Sequence, residues 1–331
     1  MASNSDYADT PRTGRPAPIV RFLGWSVLST LATFMINNIL LVGFAFPGAS
    51  AVFDGGGGLA WLQAALYVIG ILVAAGIVAQ APDRALRYEA RGIHRFNIFL
   101  VRIAFWIVLL TGIADATIAF MRVENLLAYF VGAEGAVDLG RARFVGYYVH
   151  IPLMVVGFVI ACFTRTLGFT WLALLIVCAE LSIVITRFVF SYEQALMGDL
   201  VRYWYAALFL FASAYTLFDE GHVRVDVFYS GFRQKSRGFV NAVGSLALGA
   251  TTCWVILGIG FEGTHSIINS PIANFEITQT GGVGMFIKYQ MAGFLGIFAC
   301  TMLIQFVSYF FEAVADYRNE PGHRDHEPVT T

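Results

Sequence analysis

The residues of this chain that could do chemistry are ionisable side chains inside long apolar runs. A charge in hydrocarbon is costly, so one that persists there carries a function or a structural duty. Glu180 is the clearest, about ten residues into an apolar run at 170–190. Asp115 lies toward the far end of the run at 97–120, and Arg122 follows seven residues later on the same helical face. Arg102 is close enough to the start of that run to snorkel into the headgroups. Two carboxylates at different depths suggest a proton or ion relay through Glu180 and Asp115. Alternatively both face neighbouring helices, protonated or hydrogen-bonded, and hold a bundle together. A relay needs several groups at graded depths, and no further carboxylate lies mid-run, so the structural role is favoured. Asn37 and Asn38, mid-run at 22–46, fit interhelical hydrogen bonding in the same way.

Other chemistries find little support. A bis-histidine haem site needs two inward-facing histidines at matching depth. Only His150 lies within a run, near its end, and His265 falls in a connection. Cys162, Cys178, Cys253 and Cys300 all sit in apolar runs, with no C-x-x-C pair and no histidine cluster nearby. They read as buried spectator thiols, and neither a disulfide nor a metal site is expected. There is no H-E-x-x-H and no G-x-S-x-G. No catalytic site, cofactor or metal is expected.

The elements that must carry these residues are membrane helices. The 331 residues are 58% hydrophobic and 13% charged, and about 25% charged is usual for a soluble domain. Such a surface suits lipid and not water. The net charge of −1 offers no field for nucleic acid. About 20 apolar residues cross a bilayer, and eight segments qualify or nearly do: 22–46, 59–81, 97–120, 146–163, 170–190, 201–218, 239–262 and 285–311. They are continuous rather than alternating, which predicts an all-α polytopic bundle and not a barrel. No pair of broken helices at matching places in two repeated halves is visible, which weighs against a complete carrier.

Orientation follows from the arginines. Arg12, Arg15 and Arg21 precede the first run. Arg84, Arg87, Arg91 and Arg95 fill the connection at 82–96, Arg165 the fourth, and Arg224, Arg233, Lys235 and Arg237 the connection at 219–238. The connections around Asp54 and at 263–284 carry no Lys or Arg, and only 121–145 breaks the trend. The positive-inside rule predicts eight crossings with both termini cytoplasmic. The polar stretch at 1–21 reads as an uncleaved tail, and 314–331 as a charged, disordered one.

The connection at 219–238 carries a denser signal. The chain leaves the sixth run as Tyr215-Thr-Leu-Phe-Asp-Glu-Gly-His222-Val-Arg224-Val-Asp226-Val-Phe-Tyr229, followed by a basic stretch ending at Arg237. His222 and Asp226, if helical, are i,i+4 neighbours and can pair. By residue type alone this is equally an ordinary positive-inside loop. The Gly-His-Val-Arg-Val-Asp motif after an apolar helix, with the Phe-Tyr and basic stretch beyond it, resembles the small membrane subunit (DctQ type) of TRAP transporters, the tripartite ATP-independent periplasmic importers. Ser270, Glu276, Gly281-Gly282 and Lys288 follow in the family's order, and Arg187 with Phe188 and Phe190 also fits. Two departures are visible. Thr278 stands where serine is usual, and Gly284 where proline often follows the glycine pair.

The resemblance covers residues 170–313 and implies a four-helix DctQ-like domain there, with 22–169 an N-terminal four-helix extension. It further implies a bacterial inner-membrane protein that braces a large permease subunit and offers part of the docking surface for a periplasmic solute-binding protein. The importer would be sodium-coupled, with an organic acid as its solute. His222, Arg224, Asp226, Glu276, Gly281, Gly282 and Lys288 would be its motif and interface residues. A stand-alone carrier and the membrane anchor of a redox complex are the competing readings.

Overall fold

The computed structural model describes residues 11–165, 168–218, 229–278 and 280–322. Eight helices are long and apolar enough to cross a membrane. They are α1 (Pro18–Phe44), α2 (Gly57–Gln80), α3 (Leu86–Val123), α5 (Ala142–Phe163), α6 (Phe169–Phe190), α7 (Ala195–Phe218), α8 (Gln234–Gly260) and α10 (Lys288–Tyr317). Two shorter helices lie between them, α4 (Leu127–Leu139) and α9 (Asn269–Asn274). Among the described residues the only β-type pairing is an isolated bridge between Thr13 and Arg84. The chain is therefore all-α and polytopic.

Helix limits depart from hydropathy where charges are neutralised by pairing. The stretch 86–96, expected as part of a connection, is the first three turns of the 38-residue α3. Its arginines are good helix formers, and Arg87 and Glu89 find ion-pair partners instead of needing water. α1 begins at Pro18, a position where proline loses no helical hydrogen bond. α5 contains a π-turn at Gly146–His150, in which the Ile151 amide donates to the Gly146 carbonyl. Pro152, next in sequence, cannot donate to the carbonyl four residues back, and such widened turns absorb that loss. Cys253 is buried as expected, but Cys162 and Cys178 are exposed on apolar helix faces.

The chain forms two compact units, each drawing residues from both sides of position 170. One comprises Met1–Phe96, Glu220–Val255 and Met302–Thr331, the other Asn97–Asp219 and Ile256–Thr301. In the first, the fully buried Arg21 donates to both Glu89 carboxylate oxygens at 2.7 and 2.9 Å and to the Ala81 carbonyl at 2.5 Å. Trp25 Nε1 donates to the same carboxylate at 3.2 Å. Arg87 holds Glu312 and Asp316, each at 2.6 Å, together with the Pro321 and Glu320 carbonyls. Asn37 donates to the Gln63 carbonyl, and Gln63 donates back to the Asn37 carbonyl. Arg21 and Arg87 thus tie α1 and α10 to the start of α3.

The core of the second unit is formed by Val101, Phe105 and Val108 of α3, Leu172 and Ile176 of α6, Tyr203, Trp204, Ala207 and Phe211 of α7, and Phe294 of α10. Phe211 meets Phe105 and Phe294 edge-on, with centroids 5.7 and 5.0 Å apart. Between membrane helices there is no hydrophobic force to drive association, so close backbone approach matters more. At Gly157 of α5, a Cβ would lie 2.9 Å from the Ile107 amide nitrogen of α3.

Candidate functional site: a polar cradle around residues 276–290

The residues that sequence analysis singled out in the 263–284 connection lie in the second unit, beside the start of α10. The chain turns at Gly281, where φ is +61° and glycine is at ease. Glu276 pairs with Lys288 at 2.7 Å, both partly exposed, and the Tyr289 amide donates to the Glu276 carbonyl at 3.1 Å. Ion pair and backbone bond together close the loop onto the first turn of α10.

Three ionisable side chains from other helices hold this loop by its backbone. Arg122, at the end of α3, donates to the Gly282 carbonyl at 2.6 Å and the Gly284 carbonyl at 2.5 Å. Its guanidinium also lies 3.9 Å from the Phe286 ring centroid. The planar fork of arginine makes both contacts possible at once. Asp115, two turns back on the same face of α3 and fully buried, accepts the Phe286 amide at 2.6 Å. Asp199 of α7 accepts the Met285 amide at 3.1 Å and the hydroxyls of Thr280 and Thr278 at 3.0 and 3.2 Å. Backbone amides donating to carboxylates are charge-assisted bonds, stronger than neutral ones.

From Asp115 a buried chain of polar groups leads inward. His150, placed by the π-turn of α5, faces Asp115 with Nε2 3.3 Å from Oδ1, an ion-pair separation without hydrogen-bond alignment. Its Nδ1 lies 2.8 Å from the Tyr289 hydroxyl. Gln290 Nε2 donates to that hydroxyl at 3.1 Å, and Gln290 Oε1 accepts from Tyr203 and from Thr111, the latter at 3.2 Å. Thr111 and Tyr203 are themselves 2.7 Å apart. The donors run one way along this chain if Tyr289 donates to Nδ1, leaving the His150 proton on Nε2 facing Asp115. α3, α5, α7 and α10 all contribute, so the network locks four helices at one level. Low local polarity strengthens such a network when it is satisfied.

At the rim, outside the apolar spans, Tyr192 donates to Glu124, which raises the phenol pKa from its ordinary value. Thr278 and Gly284, the two departures from the family pattern, meet at Asp199. Thr278 bonds its carboxylate, and a Cβ at Gly284 would collide with that carboxylate and with Thr280. Gly284 is the residue that lets the loop close over Asp199.

The remaining candidates fall elsewhere. His222, Arg224 and Asp226 lie outside the described residues. Glu180 differs from expectation. It is exposed on α6 and has no hydrogen bond or ion pair among the described residues, so it does not bind this chain's own helices together. Sequence reading missed Asp199 and the joining of His150 to Asp115. The available signal was that Asp115 and Arg122 lie near the end of α3 and His150 near the start of α5, the next apolar helix. Among the described residues no group of three metal-ligating side chains is assembled.

Residues 173–315 match the family described as tripartite ATP-independent periplasmic transporters, DctQ component. No curated protein and no solved structure matches the chain significantly.

Proposed function

From a chain whose residues 173–315 belong to the DctQ component family of tripartite transporters, we propose a small permease subunit that braces a large permease subunit. In this reading the 276–290 loop, on the periplasmic face of the inner membrane, forms part of the docking surface for a solute-binding protein. The partners are then the large permease subunit, the periplasmic solute-binding protein and membrane lipid, and the importer couples solute entry, organic acids being the expected class, to sodium. The matched family is one of transporter components and not of enzymes.

The observation that carries the reading is the family match falling on the last four apolar helices, with Glu276, Gly281, Gly282 and Lys288 gathered at one loop. The cradle supports it further. Asp115 and Arg122, both N-terminal to the matched segment, hold that loop by its backbone, and His150 meets the Tyr289 hydroxyl. We assign this bracing to α3 and α5, whose presence the family pattern alone leaves without a role. His222, Arg224 and Asp226 fall in sequence between α7 and α8, and we propose that this connection is cytoplasmic.

The reading is tested by co-expressing the tagged chain with a large tripartite-transporter permease subunit from the same genome and purifying from mild detergent. A stable complex of the two is expected. A tagged chain that inserts normally yet recovers no permease under any mild extraction condition would exclude the subunit role.

A further inference from the structure

The eight apolar helices contain six acidic residues, Glu89, Asp115, Glu180, Asp199, Glu312 and Asp316. Five are engaged. Glu89 takes Arg21, Glu312 and Asp316 take Arg87, Asp115 takes the Phe286 amide and faces His150, and Asp199 takes the Met285 amide. Glu180 is the exception, with no partner among the described residues. It lies at the middle of α6, ten residues from the Phe190 end, too far for a short carboxylate side chain to reach water.

Its surroundings make the exception sharper. α6 buries only Leu172 and Ile176. By helical periodicity Glu180 stands on one flank of that buried stripe, with Val177 and Val184, which are 62% and 49% exposed. Among the other spans, the exposed Arg202 lies seven residues into α7 and reaches Asp199 at 4.0 Å, so it is neither as deep nor as isolated. A lone carboxylate aimed into hydrocarbon is a docking signal, because intramembrane ionisable groups face protein or water and pair with a donor.

We propose that the Val177–Glu180–Val184 flank of α6 is covered by a transmembrane helix of the large permease subunit, which presents a cationic or amide donor to Glu180 at mid-membrane. This rests on the subunit reading above and says where the partner sits. A second copy of this chain is a poor occupant. Two-fold contact through this flank would set Glu180 against Glu180; within one turn the flank offers only Ile176, Val177, Ile183 and Val184, and Arg187, two turns away, pairs with Glu193. Lipid is a worse one, since it provides no donor at that depth.

A photo-cross-linking amino acid at Val177 or Val184 leaves Glu180 intact and reads the occupant directly in membranes containing both subunits. Cross-links to the permease are expected from these two positions and not from Ile185, on the other exposed side of α6. Glu180→Leu should then reduce co-purified permease by about three- to tenfold, the range of one intramembrane hydrogen bond, with Glu180→Gln close to wild type. Cross-links to a second copy, or to lipid alone, while wild type still recovers permease would overturn this placement and leave the subunit reading standing. Equal permease recovery with Glu180→Leu would overturn the role of the carboxylate. A wild-type chain that recovers no permease would defeat both.

Discussion

The cradle shows how much can turn on the absence of a side chain. Gly282 and Gly284 are two residues apart, yet a Cβ at Gly282 meets nothing within 4 Å and one at Gly284 runs into Asp199 and Thr280. Gly284→Ala should therefore destabilise the solubilised protein by about 1–3 kcal/mol, the usual cost of overpacking, while Gly282→Ala leaves it near wild type. Thermal unfolding of the two variants, followed by size-exclusion chromatography, makes the comparison. Equal stabilities would mean that the loop is not seated on Asp199. Residues of this kind were only partly legible in the sequence. Asp115 and Arg122 stood out because they are charges on one face of an apolar helix. Asp199 did not, because four residues into α7 it reads as the end of a connection, and its partners Thr278, Thr280 and Met285 lie 79 to 86 residues away. Glu180 was legible as an anomaly, but periodicity could not tell which side of α6 lacked a neighbour.

At the level of elements, apolar run length located all eight spans, because backbone groups in hydrocarbon must be satisfied within a helix. The limits were less legible. Hydropathy counts Arg87, Glu89 and Arg91 as water-seeking, whereas two of them are neutralised by distant carboxylates or arginines and the helix continues through them. Packing was not legible at all, since contact between membrane helices depends on small residues whose partners the sequence does not name. Gly157 against α3 is a case, and Gly76 of α2, with nothing within 4 Å of a Cβ, is its natural control. Gly157→Leu should force α5 away from α3, separate His150 from Asp115, and lower the yield of monodisperse protein several-fold. Gly76→Leu, which only adds an apolar side chain where there is open space, should not. Matching yields from the two variants would argue that α3 and α5 are not in close contact.

At the scale of the whole molecule, the described polar groups are directed to holding helices and a loop in place. The arginines of the first unit bind carboxylates and carbonyls. The second unit spends Asp115, Asp199, Arg122 and His150 on the 276–290 loop. α10 is buried over 61% of its apolar window and α6 over 11%, so the described residues leave most of α6 uncovered. An uncovered span of this kind suits the bracing role proposed above. As the small permease subunit proposed above, this chain is expected to be necessary for import without carrying solute itself. That is tested by uptake into proteoliposomes containing this chain alone, the large permease alone, or both, each supplied with the solute-loaded binding protein and a sodium gradient. Sodium-driven accumulation is expected only when both membrane proteins are present. Accumulation by this chain alone, or full-rate accumulation by the permease without it, would rule out the subunit role.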